Sequence, residues 1–260
     1  MLAIERRNQI LEKLQADGKV IVSELSQQYD VSEETIRRDL EKLENDGYAV
    51  KSYGGAVIND SISIELPFNV RKNRNVVAKQ RIAEIVSGMV HDGDSIILDA
   101  SSTAVYIAKK LEEKGKKNLT LITNSIEVIV ELFNVDDWQI LSTGGILHRE
   151  SFALVGYQTD RMLQCYHVDK AIISCKGFDI SIGITDSDEI HANNKRTMLR
   201  CANEKILAVD SSKFGRTALS TYGTLEDIDS VVTEERPDEK WLQAFESAGV
   251  SCIYPEEKAV

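Results

Sequence analysis

The sequence predicts an α/β protein in two parts. A small head of three helices and a hairpin comes first. A larger, doubly wound domain on a largely parallel sheet follows. Three observations carry this expectation. Apolar residues recur at helical spacing three times before residue 45 and then give way to a Gly-Gly turn. Beyond residue 75, short β-branched runs alternate with helical stretches, the pattern of strands buried on both faces. Between these regions, residues 59–75 lose periodicity and carry Leu66-Pro67-Phe68 and then Arg71, Lys72 and Arg74. The expected division is therefore 1–58, a linker over 59–75, and 76–260.

In the head, Ile4, Ile10, Leu11 and Leu14 predict a helix from about Ile4 to Ala16, stopped by Asp17-Gly18. Val20-Ile21-Val22 is a short β-branched run, and Ser23 reads as the cap of a second helix running through Leu25 to Tyr29. After a break at Asp30-Val31, Ser32 can cap a third helix, with Glu33 and Glu34 against its positive end. Ile36, Leu40 and Leu43 give that helix one buried stripe, and Asn45-Asp46-Gly47 ends it. Tyr48 to Tyr53, Gly54-Gly55 and Ala56 to Ile58 then make a small hairpin.

Three helices and a hairpin in this order form a winged helix-turn-helix, whose third helix enters the major groove of duplex DNA. With Ile36 inward, a rotation of about 100° per residue turns Glu34, Thr35, Arg37 and Arg38 away from the core. Arginines suit guanine edges and phosphates, and threonine suits a thymine methyl or a phosphate. The candidate DNA-facing residues are Ser32, Glu34, Thr35, Arg37 and Arg38, with Lys51 and Tyr53 from the hairpin. The competing reading is a solvated face on which Glu and Arg pair along the helix. Charge offers no help: residues 1–58 hold eight Lys/Arg against eleven Asp/Glu, and the whole chain carries −11. DNA affinity comes largely from phosphate neutralisation, so any DNA-binding face must be a local cluster.

In the larger region, a helix is expected over about Val76–Val90. Strands are expected at Ile96–Leu98, Leu119–Ile122, Gln139–Leu141, Ala171–Ile173, Ile206–Val209 and Ser230–Val232, with helices near 103–113, 126–133, 159–165 and 191–202. Five of these strands run into polar loops: Asp99 to Thr103, Thr123 to Ser125, Ser142 to Gly145, Ser174 to Gly177 and Asp210 to Gly215. The carboxyl ends of parallel strands frame ligand crevices. Ser101-Ser102-Thr103 also opens a helix, where N–H groups and the dipole favour an anion. Ordinary strand-to-helix capping explains each loop singly. Together they point to a crevice for a phosphorylated polyol, its hydroxyls on Asp and Asn and its phosphate on the Ser/Thr loop and a lysine.

Four cysteines (165, 175, 201 and 252) and four histidines (91, 148, 167 and 191) are widely spaced and read as ordinary core or surface positions. No C-x-x-C or H-E-x-x-H pattern suggests a disulfide framework, a metal or a cofactor. Neither a membrane span nor a signal-like apolar start is visible, so the expected location is the cytoplasm.

The string Val31-Ser32-Glu33-Glu34-Thr35-Ile36-Arg37-Arg38-Asp39-Leu40, with Leu43, Gly47 and Gly54-Gly55-Ala56, resembles the signature of the DeoR family of bacterial regulators. The family's wing usually reads R-x-H-G-G-A, where this chain has Lys51-Ser52-Tyr53-Gly54-Gly55-Ala56. Asp99-x-Ser101-Ser102-Thr103, Thr123-Asn124, Thr143-Gly144-Gly145, Gly183 to Asp186 and Asp210 to Gly215 extend the resemblance to the family's sensor domain, which is related to ribose-5-phosphate isomerase. The resemblance implies a repressor, a sugar-phosphate effector, double-stranded operator DNA and a homodimer or homotetramer. Its matching positions imply effector contacts at Asp99, Ser101, Ser102, Thr103, Thr123, Asn124, Gly144, Gly145, Lys176, Gly177, Asp186 and Lys213, with Glu189 and Lys195 approaching from the following helix.

An isomerase with a DNA-binding head is the rival class, since Asp179, Asp186, Asp188, Glu189 and Lys176 offer acid–base groups. The isomerase strings D-G-A-D-E and K-G-G-G are absent, which argues against catalysis. A purely architectural DNA-binding protein would have no use for the crevice.

Overall fold

The computed structural model describes residues 2–58 and 68–255 and divides into two compact units, Met1–Arg74 and Asn75–Val260. The first contains α1 (Ala3–Asp17), β1 (Lys19–Ile21), α2 (Val22–Tyr29), α3 (Glu33–Asn45), β2 (Ala49–Ser52), β3 (Gly55–Ile58) and the short α4 (Phe68–Asn73). The strands form an antiparallel sheet in the order β1-β3-β2. Ile10 and Leu14 of α1, Leu25 of α2 and Ile36, Leu40 and Leu43 of α3 close one core. Burying each of these side chains contributes about 2 kcal/mol.

Ser32 caps α3 as expected, accepting from the Thr35 amide at 3.3 Å. Ser23 does not cap α2. Ile21 still pairs with Gly55 in the sheet, and the helix starts at the very next residue, so no position remains for a polar cap. The linker also needs correction. Residues 59–67 lie outside the described residues, but Phe68–Asn73 is helical with Phe68 and Val70 buried, and it belongs to the first unit. A six-residue helix is too short to show periodicity. An ion pair within the head has no counterpart in the sequence reading. Asp39, on the core side of α3, accepts from Arg6 Nε at 2.6 Å and from Arg7 Nη1 at 3.4 Å, tying α3 to α1.

The second unit runs α5 (Val76–Met89), β4 (Ser95–Leu98), α6 (Ser102–Glu113), β5 (Thr120–Thr123), α7 (Ile126–Glu131), β6 (Gln139–Ser142), β7 (Ile146–His148), β8 (Ala153–Val155), α8 (Tyr157–Leu163) and β9 (Val168–Ile173). Then come β10 (Gly177–Asp179), β11 (Gly183–Asp186), α9 (Glu189–Arg200), β12 (Ala202–Ala208), β13 (Ser220–Gly223), β14 (Ser230–Val232), α10 (Glu239–Ala248) and β15 (Ser251–Ile253). Seven strands form one sheet in the order β15-β14-β12-β9-β4-β5-β6, and every pairing is parallel. The chain steps outward from β4 to β6, then returns to β4's other side at β9 and continues to β15. Winding therefore reverses between β4 and β9, the position at which open parallel sheets place a ligand crevice, outside the strands' carboxyl ends.

Two elements fall outside the expected pattern. The hairpin β7–β8 folds back beside β5, where Ser125 bridges to Ala153. A small antiparallel sheet, β10-β11-β13, stands apart from the large one. Phe178 on β10, Phe214 after β12 and Trp241 and Phe245 on α10 pack as an aromatic cluster, with ring centroids 4.7–6.4 Å apart, and anchor that sheet.

Asp39 gives this fold a direct test. Asp39→Ala leaves the Arg6 guanidinium buried without its partner and should cost about 3 kcal/mol in a urea melt of the head's helical signal. A loss under about 0.5 kcal/mol would show that the pair does not hold α3 to α1.

Candidate DNA-binding face and effector crevice

On the head, Glu34, Arg37 and Arg38 lie on the exposed side of α3, opposite Ile36 and Leu40. Each arginine is paired one turn back: Arg37 Nη2 with Glu33 at 2.7 Å and Arg38 Nε with Glu34 at 3.5 Å. Both pairs are open to water, where such contacts contribute only a few tenths of a kcal/mol, so phosphate or a base edge competes easily. The Ser32 and Thr35 hydroxyls bond each other at 2.9 Å. Lys51 lies 3.4 Å from Glu41 and 3.3 Å from Glu44. Tyr53, at the hairpin tip, is fully exposed.

In the second unit, the crevice floor is a buried ion triad. Lys195 of α9 places its ammonium 3.1 Å from Asp99, which follows β4, and 2.5 Å from Asp186, which ends β11. A third bond, 2.6 Å, goes to the Ser174 carbonyl after β9. All three protons of the ammonium are thus engaged. Asp99 is equally occupied: Oδ1 accepts from the Ser101 amide and Oδ2 from the Ser174 amide, stitching the two diverging loops together. Burial works against the charge on Asp186, but Lys195 and then Lys176 outweigh it and hold the carboxyl well below the usual carboxylate range. Burial likewise opposes the charge on Lys195, and Asp186 and Asp99 raise its pKa in spite of it. Tyr222 donates to the Ser174 carbonyl at 2.9 Å and lays its ring 5.5 Å from the Lys195 ammonium. Burial pushes the neighbouring Cys175 thiol up to about 12, so it stays protonated.

Around this floor, several predicted residues hold the scaffold. Fully buried Thr123 donates to the Leu98 carbonyl at 2.7 Å and accepts from the Ser125 amide at 3.0 Å, joining β4 to β5. A side chain at Gly145 would come within 2.3 Å of Thr159 Oγ1, and one at Gly177 within 2.4 Å of the Arg216 carbonyl. Those two glycines are required by close packing. Glu189 is exposed and paired with Arg196 at 3.3 Å.

Other predicted residues keep capacity for a ligand. Ser101 caps α6 by accepting from the Ala104 amide at 3.1 Å. Among the described residues, no acceptor meets the amides of Ser102 and Thr103. Gly144 has open space around it. Asn124 donates through Nδ2 to the Leu154 carbonyl at 3.0 Å, which fixes the orientation of its amide, and its buried Oδ1 has no partner among the described residues. Such an orphaned acceptor calls for a donor from elsewhere. Lys176 acts on Asp186 through its charge, as noted.

Lys213 ends a 3-10 turn, Ser211–Lys213, that Phe214 secures in the aromatic cluster. Burial opposes the charge on Asp210, but Lys213, Ser212, Lys79 and Asn75 outweigh it and keep the carboxyl below its ordinary value. Asn75, the first residue of this unit, donates to Asp210 at 2.9 Å and to Ser212 Oγ at 3.2 Å. Sequence reasoning missed this hook because 135 residues separate Asn75 from Asp210. Among the described residues, no group of three His, Cys, Asp or Glu could hold a metal ion, and no helix is long and apolar enough to cross a membrane.

A DeoR-like helix-turn-helix domain matches residues 6–62, and a DeoR C-terminal sensor domain matches residues 74–235. The chain belongs to the DeoR family. It is 41% identical over 250 residues to the "Uncharacterized HTH-type transcriptional regulator YulB" of Bacillus subtilis, spanning 96% of each chain. To the putative aga operon transcriptional repressor of Escherichia coli O157:H7 it is 34% identical, spanning 96% of this chain and 93% of that one. To the glycerol-3-phosphate regulon repressor of E. coli K12 it is 29% identical, spanning 94% and 96%. This DeoR-family chain is accordingly a DNA-binding transcriptional regulator.

The triad makes a pH prediction. Asp186 has a depressed pKa, so its contribution to stability is fully present above the ordinary value of 3.8 and fades as the pH falls through the folded value. Lys195 has a raised pKa, so its contribution holds below the ordinary 10.5 and is lost only as the pH rises through the folded value. Urea melts should show a plateau across neutral pH. Lys195→Met should lower that plateau by about 3 kcal/mol, because two buried carboxylates lose their counter-ion. An unchanged plateau in the variant would rule out the triad as the crevice's support.

Proposed function

We propose that this chain represses genes of sugar catabolism and that a phosphorylated sugar, held in the crevice between β4 and β9, modulates its grip on operator DNA. The observation that carries this reading is the set of unfilled bonding positions after β4 and β5, beside the sheet's switch point. The Ser102 and Thr103 amides at the start of α6 await an acceptor, and Asn124 Oδ1 awaits a donor. A ligand that is anionic at one end and hydroxylated at the other meets both needs. Lys213 is the cation assigned to the phosphate. Lys195 is not, because its three protons are already engaged.

The names of two relatives, a glycerol-3-phosphate regulon repressor and an aga operon repressor, support the same class of regulated genes. Arg37, Arg38 and Thr35 read the operator, exchanging their contacts within the helix for base edges and phosphates. Lys51 and Tyr53 extend that contact from the hairpin. The working form is a cytoplasmic homodimer or homotetramer, which sets the spacing of two recognition helices. The protein catalyses no reaction in this reading. Effector shifts the balance only by binding one arrangement of the assembly more tightly than the other.

Fluorescence anisotropy on labelled operator DNA, with triose, pentose and hexose phosphates added in turn, tests the switch. One of them should change operator affinity at least tenfold; no change with any of them would refute the effector reading. Arg37→Ala should weaken operator binding by about tenfold or more and leave effector binding intact. Lys213→Ala should preserve operator affinity and blunt the response to effector. The opposite pattern would reverse the assignment of the two sites.

A further inference from the structure

Beside the ion triad lies a second chain of polar groups that the effector reading leaves unused. Asp188 caps α9, accepting from the His191 amide at 2.8 Å, and the same carboxylate takes His191 Nδ1 at 2.9 and 3.0 Å. His191 Nε2 lies 2.9 Å from Ser151 Oγ, and His148 Nδ1 lies 2.8 Å from that same oxygen. The two imidazoles meet edge to face, with centroids 4.9 Å apart. Ser151 and His191 are buried, and His148 is half-buried. No described residue bonds His148 Nε2.

Counting protons gives this chain a direction. The Asp188 carboxylate can only accept, so His191 Nδ1 carries the proton. Burial pushes Asp188 up, but the bonds from His191 outweigh it and keep the group ionised. In the neutral ring Nε2 is bare and accepts from the Ser151 hydroxyl. The Ser151 oxygen accepts in turn from His148 Nδ1–H. With both rings neutral, this order leaves His148 Nε2 as a lone-pair acceptor at the open end.

The hairpin that carries His148 packs beside the loop after β4. His148 is directly opposite Ala153 across the hairpin, so the two side chains share a face. Ala153 packs with Val155 against Ala100, the residue between Asp99 and Ser101. On α9, Lys195 follows His191 by four residues on the same face and reaches Asp99. Ser151, His191 and Asp188 have the order of a nucleophile relay, yet Ser151 is 1% exposed and its second lone pair is filled by His148.

We propose that Asp188, His191, Ser151 and His148 form a hydroxyl-reading arm of the crevice, with His148 Nε2 accepting a hydrogen bond from a hydroxyl of the effector's sugar. This rests on the effector reading above and adds the residue that distinguishes one sugar from another. A phosphate dianion has no proton to donate to such an acceptor, whereas a sugar hydroxyl does. The arm therefore reads the end of the ligand away from Lys213.

Two measurements test it. In full-length protein labelled with 15N-histidine, two-bond 1H–15N spectra at pH 8 should show His148 and His191 both as Nδ1–H tautomers. A His148 ring protonated at Nε2 would overturn the proposed direction. Ser151→Ala interrupts the chain and should release His148 from the Nδ1–H form; an unaltered His148 spectrum would count against the arm.

Calorimetry then compares inorganic phosphate with triose, pentose and hexose phosphates. His148→Leu should weaken the bound sugar phosphate about tenfold and leave inorganic phosphate unchanged, and His148→Gln should recover part of the loss. Undiminished sugar-phosphate binding in His148→Leu would eliminate the arm while the effector reading stands. An equal loss of inorganic phosphate would place the arm in the phosphate grip and overturn it. If no sugar phosphate binds the unaltered protein, the effector reading falls, and the arm falls with it.

Discussion

The bond network among Asp99, Lys195 and Asp186 is the constraint on which the second unit depends. A parallel sheet that reverses its winding must open between two neighbouring strands, and the loops there diverge with backbone groups exposed. Asp99 closes the gap by accepting from both loops at once. One buried carboxylate needs a counter-charge, which Lys195 supplies from α9, and Asp186 brings the end of β11 to the same cation. The large sheet, the small sheet and α9 therefore meet at one ammonium group. Shifting any one of them separates charges where water cannot compensate.

Much of this architecture was legible in the sequence, and the illegible parts share a cause. Ile36, Leu40 and Leu43 revealed α3 because a helix repeats its buried side within a few residues. Strands such as Ile96 to Leu98 stood out because burial on both faces demands unbroken apolar runs. The three-residue strands β7, β8 and β10 have no such run, and their partners define them. Asp39 looked like any acid on a charged helix until Arg6, 33 residues earlier, faced it across the core.

At the candidate site, residue types and strand ends were readable, but how each group is occupied was not. Lys195 was expected to approach the effector from the following helix, and its ammonium is fully engaged inside the protein. Gly177 was expected among the effector contacts, and its lack of a side chain also admits the Arg216 carbonyl. His148 and His191 read as unremarkable because 43 positions separate them, and only the fold brings Ser151 between them. Donor and acceptor vacancies are properties of three-dimensional neighbourhoods. A linear sequence reports the inventory, not which bonds are still open.

Asn75 has a bearing on how the sensor unit begins. It is the residue on which the sensor unit begins, immediately after the last residue of the head unit, and its side chain grips Asp210 and Ser212 next to Lys213. Asn75 is also held at a φ of +51°, a left-handed setting that fixes the direction in which the backbone enters α5. The first residue of the unit and the turn after β12 therefore share one set of hydrogen bonds, so the start of α5 and the Ser211–Lys213 turn are positioned together although they lie far apart in the chain.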